Sequence, residues 1–410
     1  MSSSTPTTAD PIAGSGEPSL PSPPGKPKRL DFIDLLRGWA VIIMIETHVL
    51  NATLLPSLRL ELPFKILDFI NGLVAPAFLF ASGLAYAVVT RRKLHDYLSF
   101  GPPLLKQLWR LLFILIIGYG LHIPKFYFHH LMYEAGEEAW HAFFQVDVLQ
   151  CIAVSLLTLQ ILLLVLRSER RLYMVTAGLT AAIIIASPLV WGVDFWTIFP
   201  IPLAEYFNGR HFSGFPLFPW SAFLFAGALM GYSYLQAGGG SAPANLPAKA
   251  PFMKRVAWVG LGLVLLSFPL HPLGAMIYPV YDYWKSSPGF YMLRLGLVLL
   301  LCAGAFAFEY RRGVSPRSIV TLIGRESLLV YTVHLMLIYG NYGSGHFADH
   351  VHLSYGYGEV LAVSLVLFVL MYLLAWTWSK IRKAKPAIRI GVELCILAGF
   401  LIVFFVGFGQ

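Results

Sequence analysis

The stretch DLLRGWAVIIMIETHVLN places ionisable side chains inside an apolar helix. Arg37 and His48 are eleven residues apart, which is about three helical turns, so they share one face and lie roughly 16 Å apart along the axis. Asp34 and Asn51 fall near the same face. Polar groups of this kind face a bundle interior or a water-filled cavity, because lipid penalises them. An imidazole in such a position is suited to proton transfer near neutral pH.

A structural interpretation of the same residues is also open. Asp34 and Arg37 would then pair with each other at the membrane interface, and His48 would be a core histidine bonded to a carbonyl. Glu46 lies on the opposite face, where it would pair with a neighbouring span or stay neutral. The two interpretations differ in whether the stripe faces a shared polar chamber.

A second stripe of polar side chains occurs near the other end of the chain, in IGRESLLVYTVHLMLIYG. Ser327, Tyr331 and His334 are separated by four and three residues, so they line one helical face, with Gly324 a turn earlier. Serine and tyrosine at this spacing are commonly packing residues. The addition of a histidine inside an apolar segment favours a polar pathway.

Further polar side chains lie within apolar segments and are sufficient to line a chamber through a helix bundle. The alternative is hydrogen bonding between helices, which contributes on average about 0.6 kcal/mol per pair. The residues assigned to this chamber are Asn51, Asp68, Asn71, Asp147 and Gln150.

The composition identifies a polytopic membrane protein. Of the 410 residues 57% are hydrophobic and 12% charged, and the mean hydropathy is +0.68. The alternating short strands of a membrane barrel are not seen, so we predict an all-α bundle. With about 20 apolar residues needed per span, eleven spans are predicted. They are 32–55, 66–90, 104–123, 144–166, 172–191, 217–236, 254–271, 289–309, 318–340, 357–380 and 388–408.

Basic residues alternate between the predicted connections, and this bias predicts a cytoplasmic N-terminus. The N-terminal tail and every even-numbered connection are rich in Lys and Arg, whereas the odd-numbered ones hold few. The net charge of +9 is thereby explained by topology and anionic membrane lipid, and nucleic-acid binding is not expected. The residues of the even connections are Arg91, Arg92, Lys93, Arg167, Arg170, Arg171, Lys249, Lys254, Arg255, Arg311, Arg312, Arg317, Lys380, Arg382, Lys383 and Lys385.

The chain is predicted to contain one membrane domain. Residues 1–29 are rich in Ser, Pro, Thr and Gly and are predicted to form a disordered cytoplasmic tail, and residues 30–410 form the membrane domain. A linker at 236–251 separates the sixth and seventh spans. The three cysteines lie within apolar spans, and no metal-ligand spacing is found, so neither a disulfide framework nor a metal site is expected.

Several segments together resemble the heparan-alpha-glucosaminide N-acetyltransferase catalytic-domain family. The resemblance covers about residues 29–340, in the same order of elements, and the Arg-x10-His arrangement is also similar to transmembrane acyltransferases that O-acetylate bacterial glycans. The segments are RLDFIDLLRGWAVIIMIETH, APAFLFASGLAYA, VDVLQCIAV, FPLFPWSAFLFAGALMG and IGRESLLVYTVH.

The resemblance implies a function and a set of roles. It implies transfer of acetyl from cytosolic acetyl-CoA to a carbohydrate across the membrane, in a bacterial inner (plasma) membrane. Arg37, with Asp34, Tyr331 and Ser327, would bind the donor. His48 would act at the acyl group, and His334 would lie across the same chamber as a second catalytic residue.

One departure from the family limits what is carried over. In the lysosomal heparan enzyme the position matching His48 resembles Asn, and the catalytic histidine follows in the next loop, whereas this chain has no histidine between 49 and 94. Heparan specificity is therefore not implied, and the acceptor is a hydroxyl or an amine. Direct attack with His48 as general base and a relay through an acyl-imidazole both stay open. The competing class is a secondary transporter or flippase for a polar or lipid-linked solute.

Overall fold

The computed structural model describes residues 29–340 and 347–406, and in these ranges the protein forms sixteen α-helices and no β-strand. Short 3-10 or π turns occupy several of the connections. In chain order the helices are α1 Asp31–Thr53, α2 Leu62–Asn71, α3 Val74–Leu98, α4 Pro102–Gly120, α5 Glu137–Phe143, α6 Val148–Leu166, α7 Glu169–Trp191, α8 Ile201–Ala204, α9 Leu217–Gln236, α10 Leu246–Ile277, α11 Pro288–Arg312, α12 Ile319–Arg325, α13 Ser327–Tyr339, α14 Phe347–Val351, α15 Tyr357–Ile381 and α16 Pro386–Val406.

The prediction of a polytopic helical membrane protein is confirmed. Within the described residues eight helical segments are long and apolar enough to cross a membrane, and the pair α12 and α13 forms a ninth if it is one broken span. The two remaining predicted spans, 32–55 and 217–236, coincide with the helices α1 and α9. The count of eleven and the cytoplasmic N-terminus stay predictions.

Helix α1 lies at the centre of the bundle. It packs against α3, α11, α12, α13 and α15, so most of its circumference faces protein. This position explains how a helix with five ionisable side chains resides in a membrane, since its polar groups are shielded from lipid by neighbouring helices.

Close packing of α12 on α1 depends on two glycines. A Cβ atom on Gly38 would collide with the backbone of Val320, and one on Gly324 would collide with the carbonyl of Asp34. Small residues allow the backbones of two membrane helices to approach in this way. The packing therefore accounts for glycine in both LLRG and IGRE.

The ninth predicted span is broken between α12 and α13. The two helices are bent by 85° at Glu326, whose largely buried carboxylate accepts a hydrogen bond from Arg382 at the end of α15. Beyond the break, α13 packs against the C-terminal half of α1 and carries the stripe Ser327, Tyr331 and His334. The bend thus positions the second polar stripe beside the first.

The predicted tail, the predicted linker and the last helix are described to different extents. Of the predicted tail, only Arg29 lies in the described residues. In the predicted linker, the turn Gly238–Gly240 follows α9, and α10 begins at Leu246. None of the residues of α16 is buried, and its contacts with the rest of the chain include aromatic rings of Phe126 and Phe128.

Candidate active site

The imidazole rings of His48 and His334 lie side by side. Their centroids are 5.3 Å apart, with His48 projecting from α1 and His334 from α13. The side chain of His334 is fully buried, and that of His48 is half-buried. Two residues in distant parts of the sequence are therefore brought together by the packing of α13 on α1.

Hydrogen bonding defines the tautomer of His334. Its Nδ1 lies 2.7 Å from the carbonyl oxygen of Val330, and a carbonyl can only accept, so Nδ1 carries the proton. In the neutral ring Nε2 is then an acceptor, and this buried atom has no hydrogen-bond partner in the described part of the chain. The Nε2 lone pair is thus free to accept a proton or a hydrogen bond from a substrate.

The ring nitrogens of His48 are likewise not used in hydrogen bonds within the described part of the chain. Within residues 29–340 and 347–406 neither of its nitrogens forms a hydrogen bond, although its backbone carbonyl accepts one from the hydroxyl of Tyr339 at 3.1 Å. The ring of Tyr339 stands edge-on to the imidazole at 5.8 Å. Tyr339 therefore fixes the position of His48 without using its nitrogens.

A second group of polar residues extends from His334 toward α6. The ring of Tyr331 packs edge-on to His334 at 5.9 Å, and its hydroxyl donates to Oδ2 of Asp147 at 3.1 Å. The other oxygen of Asp147 caps α6 by accepting from Val148 N at 2.7 Å. His122 Nε2 lies 3.8 Å from the same Oδ2. Asp147 thus holds three elements of the site together.

Two glutamines, Gln145 and Gln150, lie near the carboxylate of Asp147 and contact its neighbours. Gln145 Nε2 lies 2.7 Å from Nδ1 of His122, which turns the opposite nitrogen of the ring toward Asp147. Gln150 is fully buried against Gly118, and its amide donates to the Gln145 carbonyl at 3.5 Å. Gln150 therefore supports the site without facing the imidazole pair.

Charges at the N-terminal end of α1 are arranged differently from the predicted Asp34 to Arg37 pair. Asp34 Oδ2 lies 3.2 Å from Nε of Arg325 and 3.7 Å from Nε of Arg29. Arg37 forms no hydrogen bond or ion pair among the described residues, and its Nε is buried. The nearest charges to Arg37 besides Asp34 are those of Arg110 and Arg29. Arg37 therefore has one carboxylate and two other guanidinium groups in its electrostatic surroundings.

The remaining predicted residues lie away from the imidazole pair. Ser327 begins α13 at the break, two turns before His334, and its side chain is nearly buried. Asn51 and Asp68 are exposed, and the charge of Asp68 faces Arg294. Asn71 is buried beside Glu46, on the other face of α1.

Arg294, whose charge faces Asp68, forms the centre of a separate cluster. It donates to the carbonyl of Phe69 and lies against the rings of Phe69, Trp284 and Phe290. A Cβ on Gly72 would meet its guanidinium, so a larger residue where α2 ends would displace the end of the Arg294 side chain. We interpret the cluster as a connection that joins the junction of α2 and α3 to α11.

Sequence reasoning missed three residues of the site: Arg325, Tyr339 and Arg59. Arg325 is the principal partner of Asp34, and Tyr339 is five residues beyond His334, off the helical stripe. Arg59 lies in the 3-10 turn after α1, near Tyr339. One signal was available, because Arg59 is a basic residue in an odd-numbered connection, against the charge bias.

Loops at the same end of the bundle are joined to Asp147 through the backbone of Val146. Val146 N donates to Ser213 Oγ at 2.8 Å, and Ser213 in turn donates to the buried carboxylate of Glu205. Glu205 also accepts from the indole of Trp196 at 2.8 Å. His211 stacks on Trp196 at 3.8 Å. The aromatic side chains of this loop are thus linked to the site by a chain of hydrogen bonds.

No group of three or more His, Cys, Asp or Glu side chains in the described residues is arranged to hold a metal ion. The arrangement can support proton transfer at two imidazoles and anion binding at an unpaired guanidinium.

Comparison with known proteins identifies the family. The family model described as heparan-alpha-glucosaminide N-acetyltransferase, catalytic, matches residues 29–271, which is more than half of the chain. The matched range contains Arg37, His48 and Asp147 and ends before α13 with His334. A comparison with curated proteins gives no match. The chain therefore belongs to the heparan-alpha-glucosaminide N-acetyltransferase catalytic family and is an integral-membrane acyltransferase of the acetyltransferase type.

Proposed function

We propose that this protein transfers the acetyl group of cytosolic acetyl-CoA to a carbohydrate on the far side of the membrane. The observation that carries the proposal is the pair of adjacent imidazoles, His48 and His334, whose nitrogens are available to a substrate. His48 lies about three helical turns from the unpaired Arg37 on α1. Acetyl-CoA carries phosphates at one end and a thioester at the other, so the two features match its two ends.

At the donor end, Arg37 would bind a phosphate of CoA. A guanidinium has donors in a fixed planar fork that suits phosphate oxygens, and here it has no carboxylate partner. Arg110 and Arg29 add positive charge nearby. Asp34 is occupied by Arg325, so its contribution to donor binding would be to orient the positive cluster. Ser327 and Tyr331 complete the proposed donor-side residues.

At the acyl end, the reaction needs a base for the acceptor proton. The acceptor oxygen or nitrogen attacks the thioester carbonyl carbon, a new C–O or C–N bond forms, and the C–S bond breaks. The acceptor proton moves to an imidazole and then to the sulfur of CoA, so atoms and charge balance. In a relay, the acetyl group rests first on an imidazole nitrogen before it reaches the acceptor.

The two histidines differ in suitability for these roles. His48 is half-buried with both nitrogens free, so it is the ring that substrates can reach. His334 is fully buried and oriented by Val330, with Nε2 directed away from that bond. We therefore assign the contact with the acyl group to His48 and proton acceptance to His334. Tyr331 and Asp147 position the His334 ring.

The acceptor is proposed to be a carbohydrate because of the aromatic surface around Trp196 and His211. Flat aromatic rings bind the apolar faces of sugars, and the buried Glu205 holds Trp196 in place through its indole N–H. The hydrogen bond with His211 lowers the pKa of Asp194, which keeps an additional acceptor for sugar hydroxyls charged in this region.

The membrane is proposed to be a bacterial inner membrane, with the N-terminus in the cytoplasm.

Sealed vesicles test the proposal directly. Purified protein is reconstituted into vesicles with an amino sugar oligosaccharide inside, and radiolabelled acetyl-CoA is added outside. We expect acetylated sugar in the vesicle interior for the wild type, no product for His48→Ala, and normal product for His95→Ala, a histidine in the last turn of α3. Wild-type vesicles that bind acetyl-CoA without forming product, or that form none and bind none, would refute the proposal.

One observation favours the second class, a transporter or flippase. The break between α12 and α13 with its 85° bend is a feature that transporters use at substrate sites. In the same vesicles a transporter would release unmodified sugar without acetyl-CoA, whereas the proposed enzyme would retain it.

A further inference from the structure

Arg59 occupies a rigid turn at the C-terminal end of α1. The turn Pro56–Leu60 follows a single parallel bridge between Leu54 and Tyr355. Leu55 N donates to the carbonyl of Tyr355 at 2.9 Å, and the hydroxyl of Tyr357 donates to the carbonyl of Leu58 at 3.1 Å. The turn that carries Arg59 is therefore held by the segment of Tyr355 and Tyr357, and Tyr357 is 299 residues from Leu58 in sequence.

The guanidinium of Arg59 is held in place without a counter-charge. Its Nη2 donates to the carbonyl oxygen of Asn51 at 2.8 Å, and it lies 5.8 Å from the ring centroid of Phe64. Its Nε is buried and has no hydrogen-bond partner, and no carboxylate pairs with it in the described residues. The nearest acid in sequence, Glu61, is exposed to solvent and forms no ion pair with it.

This unpaired charge is connected to the imidazole pair through the end of α1 and through Tyr339. Arg59 is bonded to the backbone carbonyl of Asn51, which is three residues beyond His48 in α1. On its other side it is close enough to Tyr339 to act electrostatically on that hydroxyl. Tyr339 in turn donates to the carbonyl of His48 and packs against its ring. Arg59 therefore lies at the outer edge of the site, where an acceptor would approach.

We infer that Arg59 binds an oxyanion of the acceptor, so that the enzyme selects carbohydrates that carry a carboxylate or phosphate near the acetylated group. The inference rests on the proposed function and adds the substrate class. A guanidinium that is oriented by a backbone carbonyl and lacks a carboxylate partner retains donors for an incoming anion. The anion would hold the acceptor beside His48, as positioning groups do in acyl transfer.

Three acceptors that differ at one carbon test the inference. Each is the same amino sugar disaccharide, in which the neighbouring sugar carries a primary alcohol, a carboxylate, or the phosphate ester of that alcohol. We expect wild-type kcat/KM to be about tenfold higher for one or both anions than for the alcohol, because a hydrogen bond from a guanidinium to an anion is stronger than one to a neutral hydroxyl. Preference for the carboxylate indicates an acidic sugar, and preference for the phosphate indicates a phosphorylated or lipid-linked acceptor.

Three variants separate recognition from folding. Arg59→Ala should lose the preference while still acetylating the neutral acceptor, Arg59→Lys should keep most of it, and Arg167→Ala should keep all of it. Arg167 is the matched control, because it also donates to a backbone carbonyl, that of Leu98 at 3.3 Å, and lies outside the proposed site. Equal wild-type use of the three acceptors, or a preference that survives Arg59→Ala, overturns the inference and leaves the proposed function intact. Wild-type inactivity on all three contradicts both.

Discussion

The two ends of α1 both carry polar residues, but these differ in whether they have hydrogen-bond or ion-pair partners. Near the N-terminus Asp34 is bound by Arg325 and Arg29, and the backbone N–H of Phe32 is bound by Glu309. Near the C-terminus the nitrogens of His48 have no partner within the described residues. Buried polar groups in folded proteins are nearly always paired. The difference therefore separates residues that hold helices together from residues that are available to a ligand.

Arg37 is the residue that this comparison reassigns. It is close to the paired end of the helix, yet it resembles His48 in having no partner in the described chain. Its neighbour Asp34 is engaged across to α12 instead. The polar residues of α1 thus form two groups, Asp34 with partners, and Arg37 and His48 without them among the described residues. Each of the following variants tests one of the two groups.

The largest effect is expected from the unpaired imidazoles. His48→Ala and His334→Asn should each lower kcat by about 10²–10⁴-fold, the usual contribution of a general acid or base. Asparagine at 334 retains an N–H donor for the Val330 carbonyl while it removes the free Nε2. Acetyl transfer by purified, folded protein is the measurement. If His334→Asn keeps full activity, His334 has no part in proton transfer.

The paired end should respond in stability. Asp34→Ala removes one of the two carboxylates that pair with Arg325, since Nη2 of Arg325 still lies 3.3 Å from Oδ1 of Asp31. The free energy of unfolding is therefore expected to fall by about 1.5 kcal/mol, the lower part of the range for a hydrogen bond to a charged group. The double variant with Asp31→Ala leaves Arg325 without either carboxylate and should lose more. Thermal unfolding in detergent measures both. The KM for acetyl-CoA of the folded Asp34→Ala fraction tests the separate expectation that Asp34 binds the donor.

Arg37→Gln should weaken donor binding without unfolding the protein. The KM for acetyl-CoA is expected to rise about tenfold, because a charge-assisted hydrogen bond to phosphate is lost, whereas kcat at saturating donor should change little. Arg92→Gln, which removes an exposed arginine from α3, is the control. An unchanged KM together with a lower melting temperature would place Arg37 among the structural residues.

The smallest effect is expected at Tyr331. Tyr331→Phe removes the hydrogen bond to Asp147 but keeps the ring that packs on His334, so kcat should fall about fivefold, which corresponds to about 1 kcal/mol. Tyr310→Phe on α11 is the matched control. A loss as large as that of His48→Ala would instead give Tyr331 a direct part in the chemistry.

Arrangements within one helix were predictable from the sequence, because an α-helix has a known repeat. The common face of Arg37 and His48, and that of Tyr331 and His334, follow from spacing alone. Asn51 shows what spacing alone does not predict. It lies near the face of His48, yet it is exposed, and α1 ends two residues later at Thr53.

The sequence by itself determined the class of molecule, the positions of the apolar helices and the residues with chemical potential, since composition and local periodicity carry that information. Only the tertiary structure decided which of these residues meet. The pairing of Asp34 with Arg325, the contact of His48 with His334 and the placement of Arg59 beside Tyr339 each join distant parts of the chain. Such contacts depend on how the helices pack and bend, as at the break before α13, and no local pattern in the sequence encodes the choice of partner.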